Sequence, residues 1–417
     1  MILQFLDLEQ LAGGIGVEER QSGQTANGGE ATITTSALAH AKNLIRCRSI
    51  TPDEGGALSY LEKELTAVGF TCHRLPFSER RTPDVDNLYA RIGDGSPHVC
   101  FAGHIDVVAP GDENAWRHPP FAAEVDDDTL YGRGAADMKG AVAASLAATL
   151  LYLLECGGAP KGSISFLITA DEEGPAINGT KKVVDWLIER GERPDYCLLG
   201  ECTSEAAVGD TIKIGRRGSL SGELRVRGVQ GHVAYPHKAR NPLPRLIDAL
   251  NLLKSQQLDA GSTHFQPSNL EITSIDTGNQ TYNLIPATAT ARFNVRFNDH
   301  HTGENLKVWI ESQVQAALLD SGVGYTLEYG PEAESFMTDP GEFVKMLTAA
   351  IEAETQREPI LSTGGGTSDA RFIKDLCPVA EIGLLSATAH KVDECVSVAD
   401  LETLTHIYSR FLRLALP

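Results

Sequence analysis

The order in which short apolar runs alternate with amphipathic ones constrains this chain most. Apolar residues recur at helical spacing through SALAHAKNLIRCRSITPDE, which starts at Ser36, and through GGALSYLEKELTAVGF. Short strands follow, NLYARIG, HVCFAGHID, GSISFLITADEEG, DYCLLGECT and, far downstream, VAEIGLLSATAH, each closed by a polar loop. Between the second and third lies GAVAASLAATLLYLLEC, an Ala/Leu-rich stretch that reads as a well-buried helix. Strands alternating with helices specify an α/β fold built on a mixed, mostly parallel sheet flanked by helices.

The middle of the chain changes period. From Arg217 to Gly330, segments such as GSLSGELRVRGVQG, SNLEITSIDTG and ATATARFNVRFN alternate every second residue, with helical patterns NPLPRLIDALNLLKSQQ and GENLKVWIESQVQAALLDSG between them. The α/β pattern resumes at GEFVKMLTAAIEAETQ. Two domains are therefore expected, the first in two segments, 36–216 and 331–417, interrupted by an α+β insertion over 217–330. Residues 1–35, polar and Gly-rich after one short apolar turn, read as a disordered extension.

Composition narrows the partners. A formal net charge of −20, with no Lys/Arg-rich run, opposes binding to nucleic acid or to anionic lipid. Neither an apolar stretch of membrane-spanning length nor a basic leader is expected, and the eight cysteines form no C-x-x-C pair. A cytoplasmic protein acting on a small molecule is the expectation.

Chemistry gathers where the strands end. In an open α/β sheet, ligands bind in the crevice beyond the carboxyl ends of the strands. His104, Asp106, Glu172, Glu173, Glu201 and His390 all fall at or beyond such ends, and Asp137 lies in the loop YGRGAADMKG that feeds the Ala-rich helix. Residues two apart on a strand share a face, so His104 and Asp106 are expected to project together from one face or one strand end. Each residue alone has a plainer role, as a hydrogen-bonded histidine, a turn former or a helix cap. Together, carboxylates crowded at a buried sheet edge need compensating cations. Imidazole and carboxylate donors suit zinc or cobalt.

The motifs GHIDVV, GRGAADMKG, TADEEG, Gly200-Glu201 and Ala389-His390 resemble, in order, those of the zinc-dependent aminoacylase and glutamate carboxypeptidase group of metallohydrolases. RRGSLSGELRVRGVQGHVAYPH, NPLPRL, NLIP, FNVRFN, GGTSDARFI and HKVDECV narrow the resemblance to the branch that hydrolyses an N-succinylated diamino acid. It implies a pair of zinc ions per subunit, replaceable by cobalt. Asp137 would bridge them, with His104 and Glu201 on one ion and Glu173 and His390 on the other. Glu172 would be the general base, and Asp106 the carboxylate that orients His104. His232, reaching across a homodimer from an insertion that serves as lid and dimerisation domain, would stabilise the oxyanion. Arg216, Arg217, Ser219, Asn283, Arg296, Thr367 and Arg371 are the candidates for substrate carboxylates and polar groups. Two positions depart from the branch pattern, Leu384 where proline and Ser386 where asparagine is usual. A sibling deacetylase or dipeptidase would keep every metal ligand and differ in the insertion. A catalytically dead binding protein would be expected to lose Glu172, which is present.

Overall fold

The computed structural model of the chain describes residues 34–417 and, before them, the residue pairs 22–23 and 31–32. The expected disordered extension over 1–35 lies almost entirely outside the described residues.

An eight-stranded sheet organises the larger part of the molecule. Its strands run in space as Ile360–Ser362, Thr211–Lys213, Val379–Glu381, Tyr196–Leu199, His98–His104, Ser163–Thr169, Leu88–Ile92 and Thr71–Arg74. The four from Val379–Glu381 to Ser163–Thr169 are mutually parallel, with antiparallel neighbours on both sides of that run. His98–His104 and Ser163–Thr169 are buried at every position, as expected for parallel strands covered on both faces. Phe101 and Phe166 are neighbours in register and meet Tyr408 and Phe70 on one face. Tyr89, one residue out of phase with that row, faces the other way and meets Trp186 of the helix Thr180–Glu189.

Helices Ala37–Arg46, Gly140–Glu155, Glu342–Thr355 and Val398–Ala415 pack on one another in a continuous layer. Their starts are chemically marked, with Ser36 accepting from Ala39 N–H and Ser397 from Asp400 N–H. Gly140–Glu155 is buried nearly all round. The stretch Ala135–Glu155 is in fact long and apolar enough to span a membrane by length and composition, contrary to the reading of the sequence. Its apolarity is used on the protein core, since 83% of its most apolar window is buried.

A second, separate core belongs to a four-stranded antiparallel sheet ordered Asn269–Asp276, Thr288–Phe297, Gly218–Arg227, Gly324–Ala333. Burial alternates along Gly218–Arg227, with Leu220, Leu224 and Val226 turned toward helices Pro242–Ser255 and Gly303–Leu318. The two chain segments that join this body to the larger one pair with each other, Gly215–Arg216 against Phe336–Met337.

Two boundaries differ from expectation in ways that matter for the site. The strand of HVCFAGHID ends at His104, so Asp106 lies in the following loop and does not share the histidine's strand face. The strand before His390 ends at Glu381, leaving His390 well along a loop. The structure adds helices Thr180–Glu189 and Val398–Ala415 to those expected.

Phe101→Ala should remove packing from both Phe166 and Tyr408 and lower stability by about 3–5 kcal/mol. A drop in the urea midpoint of the full chain checks this.

Candidate metal centre

Register aligns the ends of the parallel strands. His104 lies opposite Thr169, Ala102 opposite Leu199, and Leu199 opposite Glu381. The loops that leave this edge therefore converge, and with them His104, Glu172, Glu173, Glu201 and His390. Asp137 enters from the segment before the buried helix.

The Asp137 carboxylate stands between two imidazoles. Its Oδ1 is 3.2 Å from His104 Nε2 and its Oδ2 is 3.3 Å from His390 Nε2. His390 Nε2 is also 2.6 Å from Glu173 Oε1, and His104 Nε2 is 4.0 Å from Glu201 Oε1. Donor atoms of His104, Glu172 and Glu201, and of His104, Asp137 and Glu173, lie within 4.8 Å of one another. One carboxylate oxygen facing each histidine is a geometry for bridging two ions.

Electrostatics shows what the cluster lacks. Burial, reinforced by Asp369, Glu173 and Asp137, pushes the Glu172 carboxyl up to about 8 against the pull of His104. Burial, with Asp137 and Glu172, likewise holds Glu201 well above the ordinary range. Burial disfavours a charged His104, yet its hydrogen bond to Asp137 and the Asp106, Glu172 and Glu201 carboxylates outweigh this and raise its pKa well above the usual value. Hydrogen bonds to Asp137 and Glu173 raise His390 to about 10. Glu201 Oε1 is buried with no hydrogen-bond partner. A pair of divalent cations would supply the positive charge that so many buried carboxylates call for, and the donor set fits them.

Asp106 is the hub beneath this cluster. His104 Nδ1–H donates to the Asp106 backbone carbonyl at 2.9 Å, which leaves Nε2 directed at Asp137. The Asp106 carboxylate is 3.6 Å from that Nδ1 and instead accepts from Thr51 Oγ1 (2.6 Å), Glu173 N–H (3.0 Å) and Glu172 N–H (3.3 Å). One residue thus aims the histidine with its backbone and the Glu172-Glu173 pair with its side chain. Asp171, the first acid of DEEG, closes the same loop by accepting from Ile177 and Asn178 N–H.

Several supporting residues carried no signal that spacing could read. Arg133 and Glu394 form a buried ion pair at 2.6 Å. Glu394 Oε1 accepts from Ala136 and Asp137 N–H, at 3.0 and 3.1 Å, while Arg133 donates to the carbonyls of Lys391 and His390. This pair ties the Asp137 segment to the His390 loop. Lys139 Nζ donates to the Cys47 carbonyl, and Asp369 sits fully buried, its carboxyl raised to about 6 by that burial. Arg133 and Glu394 fall inside quoted motifs, and a buried arginine in a loop requires an acid partner, but nothing local says which.

The other expected residues lie in two places apart from the cluster. His232 is exposed, in a strand pair that also brings Asn283 close; Val233 N–H donates to the Asn283 carbonyl, and the His232 ring accepts from Ala234 N–H. Within one chain, neither is brought to the metal-competent groups by any of these contacts. Ser219 and Arg296 are cross-strand partners, and Arg217 donates to Asn269 Oδ1 beside them. Buried nitrogens of both Arg217 and Arg296 have no partner. Arg216 differs, because its guanidinium is committed in bidentate fashion to the buried Glu381 and also to the Gly366 carbonyl at 3.2 Å. A Cβ on Gly365, whose φ is +107°, would come within 2.6 Å of Arg216 Nη1, so glycine is required where the guanidinium passes. Thr367 is exposed on that turn, and Arg371 follows it, stacked on Phe372.

Comparison with known proteins gives the family. The model of peptidase family M20/M25/M40 matches residues 100–414. The succinyl-diaminopimelate desuccinylase of Rhodopseudomonas palustris strain BisB18 is 57% identical over 384 residues, covering 91% of this chain and 98% of that protein. The enzyme of the same name from Rhodospirillum centenum is 57% identical over 375 residues, 90% and 96% of the two chains. Among solved structures, aminopeptidase PepT of Bacillus cereus superposes with a TM-score of 0.76 at 20% identity, over 92% of this chain and 100% of that one. The YXEP protein of Bacillus subtilis, described as a dinuclear metal binding peptidase of the M20 family, gives 0.67 at 15% identity, over 91% and 97%. At such identities the structural likeness shows the fold.

Glu394→Gln should leave Arg133 without its counter-charge and loosen the Asp137 segment, weakening metal binding by about 10–100-fold. Competition against a chelator of known affinity measures it.

Proposed function

The chain belongs to peptidase family M20/M25/M40, and we propose that it hydrolyses the amide of N-succinyl-LL-2,6-diaminopimelate, releasing succinate and LL-2,6-diaminopimelate. It is a metal-dependent hydrolase of the diaminopimelate and lysine biosynthetic route. The observation that carries the chemistry is Asp137 poised between His104 and His390, one oxygen to each. The substrate rests on relatives of one name at 55–57% identity over both bodies of the chain.

His104, Asp137 and Glu201 would hold one ion, and Asp137, Glu173 and His390 the other. Bound there, two divalent ions, which we take to be zinc with cobalt able to substitute, supply Lewis acidity toward the amide carbonyl and acidify water. Glu172 takes the proton from the attacking water and returns it to the departing amine nitrogen. Its neighbour Glu173 is engaged with His390, so the two adjacent acids divide the roles. Arg217, Ser219 and Arg296, on the smaller body, offer hydrogen-bond donors for the substrate's carboxylates, with Asn283, Thr367 and Arg371 as further polar contacts. Arg216 serves through the Gly365–Thr367 turn that it holds.

The exposed His232 finds its role in a homodimer, where it reaches the partner's site and donates a hydrogen bond to the oxyanion. Residues 217–330 act in this reading as the lid and the dimerisation unit. Eight free thiols suit a reducing compartment, and we place the protein in the cytoplasm.

Assayed with zinc, the protein should hydrolyse N-succinyl-LL-2,6-diaminopimelate and leave N-acetylornithine intact; turnover of the second alone overturns the substrate assignment. Glu172→Gln should lower kcat by about 10²–10⁴-fold with both ions retained, as rate and metal content measured together will show. Co-expressed Glu172→Gln and His232→Ala chains, each strongly impaired alone, should regain activity above either through the mixed dimer. No regain means that His232 does not act across subunits.

A further inference from the structure

Cys202 follows Glu201 directly, beyond the strand Tyr196–Leu199. The sequence shows its thiol as one of eight scattered ones, whereas the fold sets it against the metal-competent cluster. The donor atoms of Asp137, Glu201 and Cys202 all lie within 4.8 Å of one another. Among the described residues, no other cysteine shares a cluster with metal-competent groups. Glu201 is 7% exposed, and its Oε1 is buried without a hydrogen-bond partner. A buried carboxylate oxygen left unpaired beside a thiol marks a place prepared for a cation. Cys202 is only partly buried, and its neighbours here are carboxylates, so packing as a small hydrophobe does not account for its position.

Resting on the dinuclear reading above, we propose that Cys202 is a thiolate ligand of the ion held by Asp137 and Glu201. His104, which is 3.2 Å from Asp137 and 4.0 Å from Glu201, is the imidazole assigned to the same ion above, so the set would be one nitrogen, two carboxylates and one sulfur. Zinc accepts such mixed sets. Coordination exchanges the S–H bond for a sulfur–metal bond, and the proton leaves to solvent with no change of oxidation state. A single soft donor biases this position toward thiophilic ions, so cadmium should compete with zinc here better than at the Glu173–His390 position, which has only carboxylate and imidazole donors.

The test uses the full chain stripped of metal by a chelator and titrated with cobalt(II), with bound cobalt counted by elemental analysis. Wild-type protein should develop a near-ultraviolet thiolate-to-cobalt charge-transfer band. Cys202→Ala and the closely isosteric Cys202→Ser should bind the same number of ions and lose the band. Two cobalt ions bound to the wild type without the band, or a band that persists in both variants, overturns the thiolate and leaves the dinuclear centre standing. Failure of the wild type to bind two ions overturns the dinuclear reading, and the thiolate ligand with it.

Discussion

Asp137 shares its carboxylate between His104 and His390, and much of the architecture serves to keep it there. A carboxylate so deeply placed is tolerable only with positive charge on both sides. Around it stand Glu172, Glu173 and Glu201, so local negative charge exceeds what two imidazoles can balance. The raised pKa values of Glu172 and Glu201 express that excess. Divalent ions relieve it, which is why the cluster is metal chemistry rather than a buried polar network.

The scaffold answers the same problem with fixed groups. The Arg133–Glu394 pair is buried, and its acid accepts the two backbone N–H groups at Asp137. A buried ion pair contributes little net stability, but breaking one is costly, which makes it effective for holding one arrangement. Asp106 works in the same manner from below, through Thr51 and the backbone of Glu172 and Glu173. Ligands drawn from separate loops are thereby held as one object. Cys202 adds a soft donor to an otherwise oxygen and nitrogen surround, a reason to expect the two ion positions to differ in metal preference.

The smaller body carries cationic donors of its own. In a chain of net charge −20, Arg296 on this sheet and Arg217 just before it each keep a buried nitrogen without a partner. Such a concentration of donors suits a substrate with several carboxylates. The joining segments Gly215–Arg216 and Phe336–Met337 pair with each other. Arg216 then locks that junction to Glu381 in the large sheet, so a residue read as a substrate contact has become a link between the two bodies.

By itself the sequence determined the α/β class, and it marked the change of period in the middle of the chain and the histidines and carboxylates that follow the strands, because periodicity and strand termini are local properties. Its shared-face argument for His104 and Asp106 reached a true neighbour relation by the wrong route: the strand stops at His104, and the contact runs through the Asp106 carbonyl. Only the tertiary structure decided that Glu394 holds Asp137, that Arg216 is spent on Glu381, and that Cys202 alone among the cysteines stands at the cluster. Local spacing says which way a side chain points from its own strand. Which groups from distant segments come within bonding distance is set by the register of parallel strands and the packing of the loops that leave them, and no single segment encodes that.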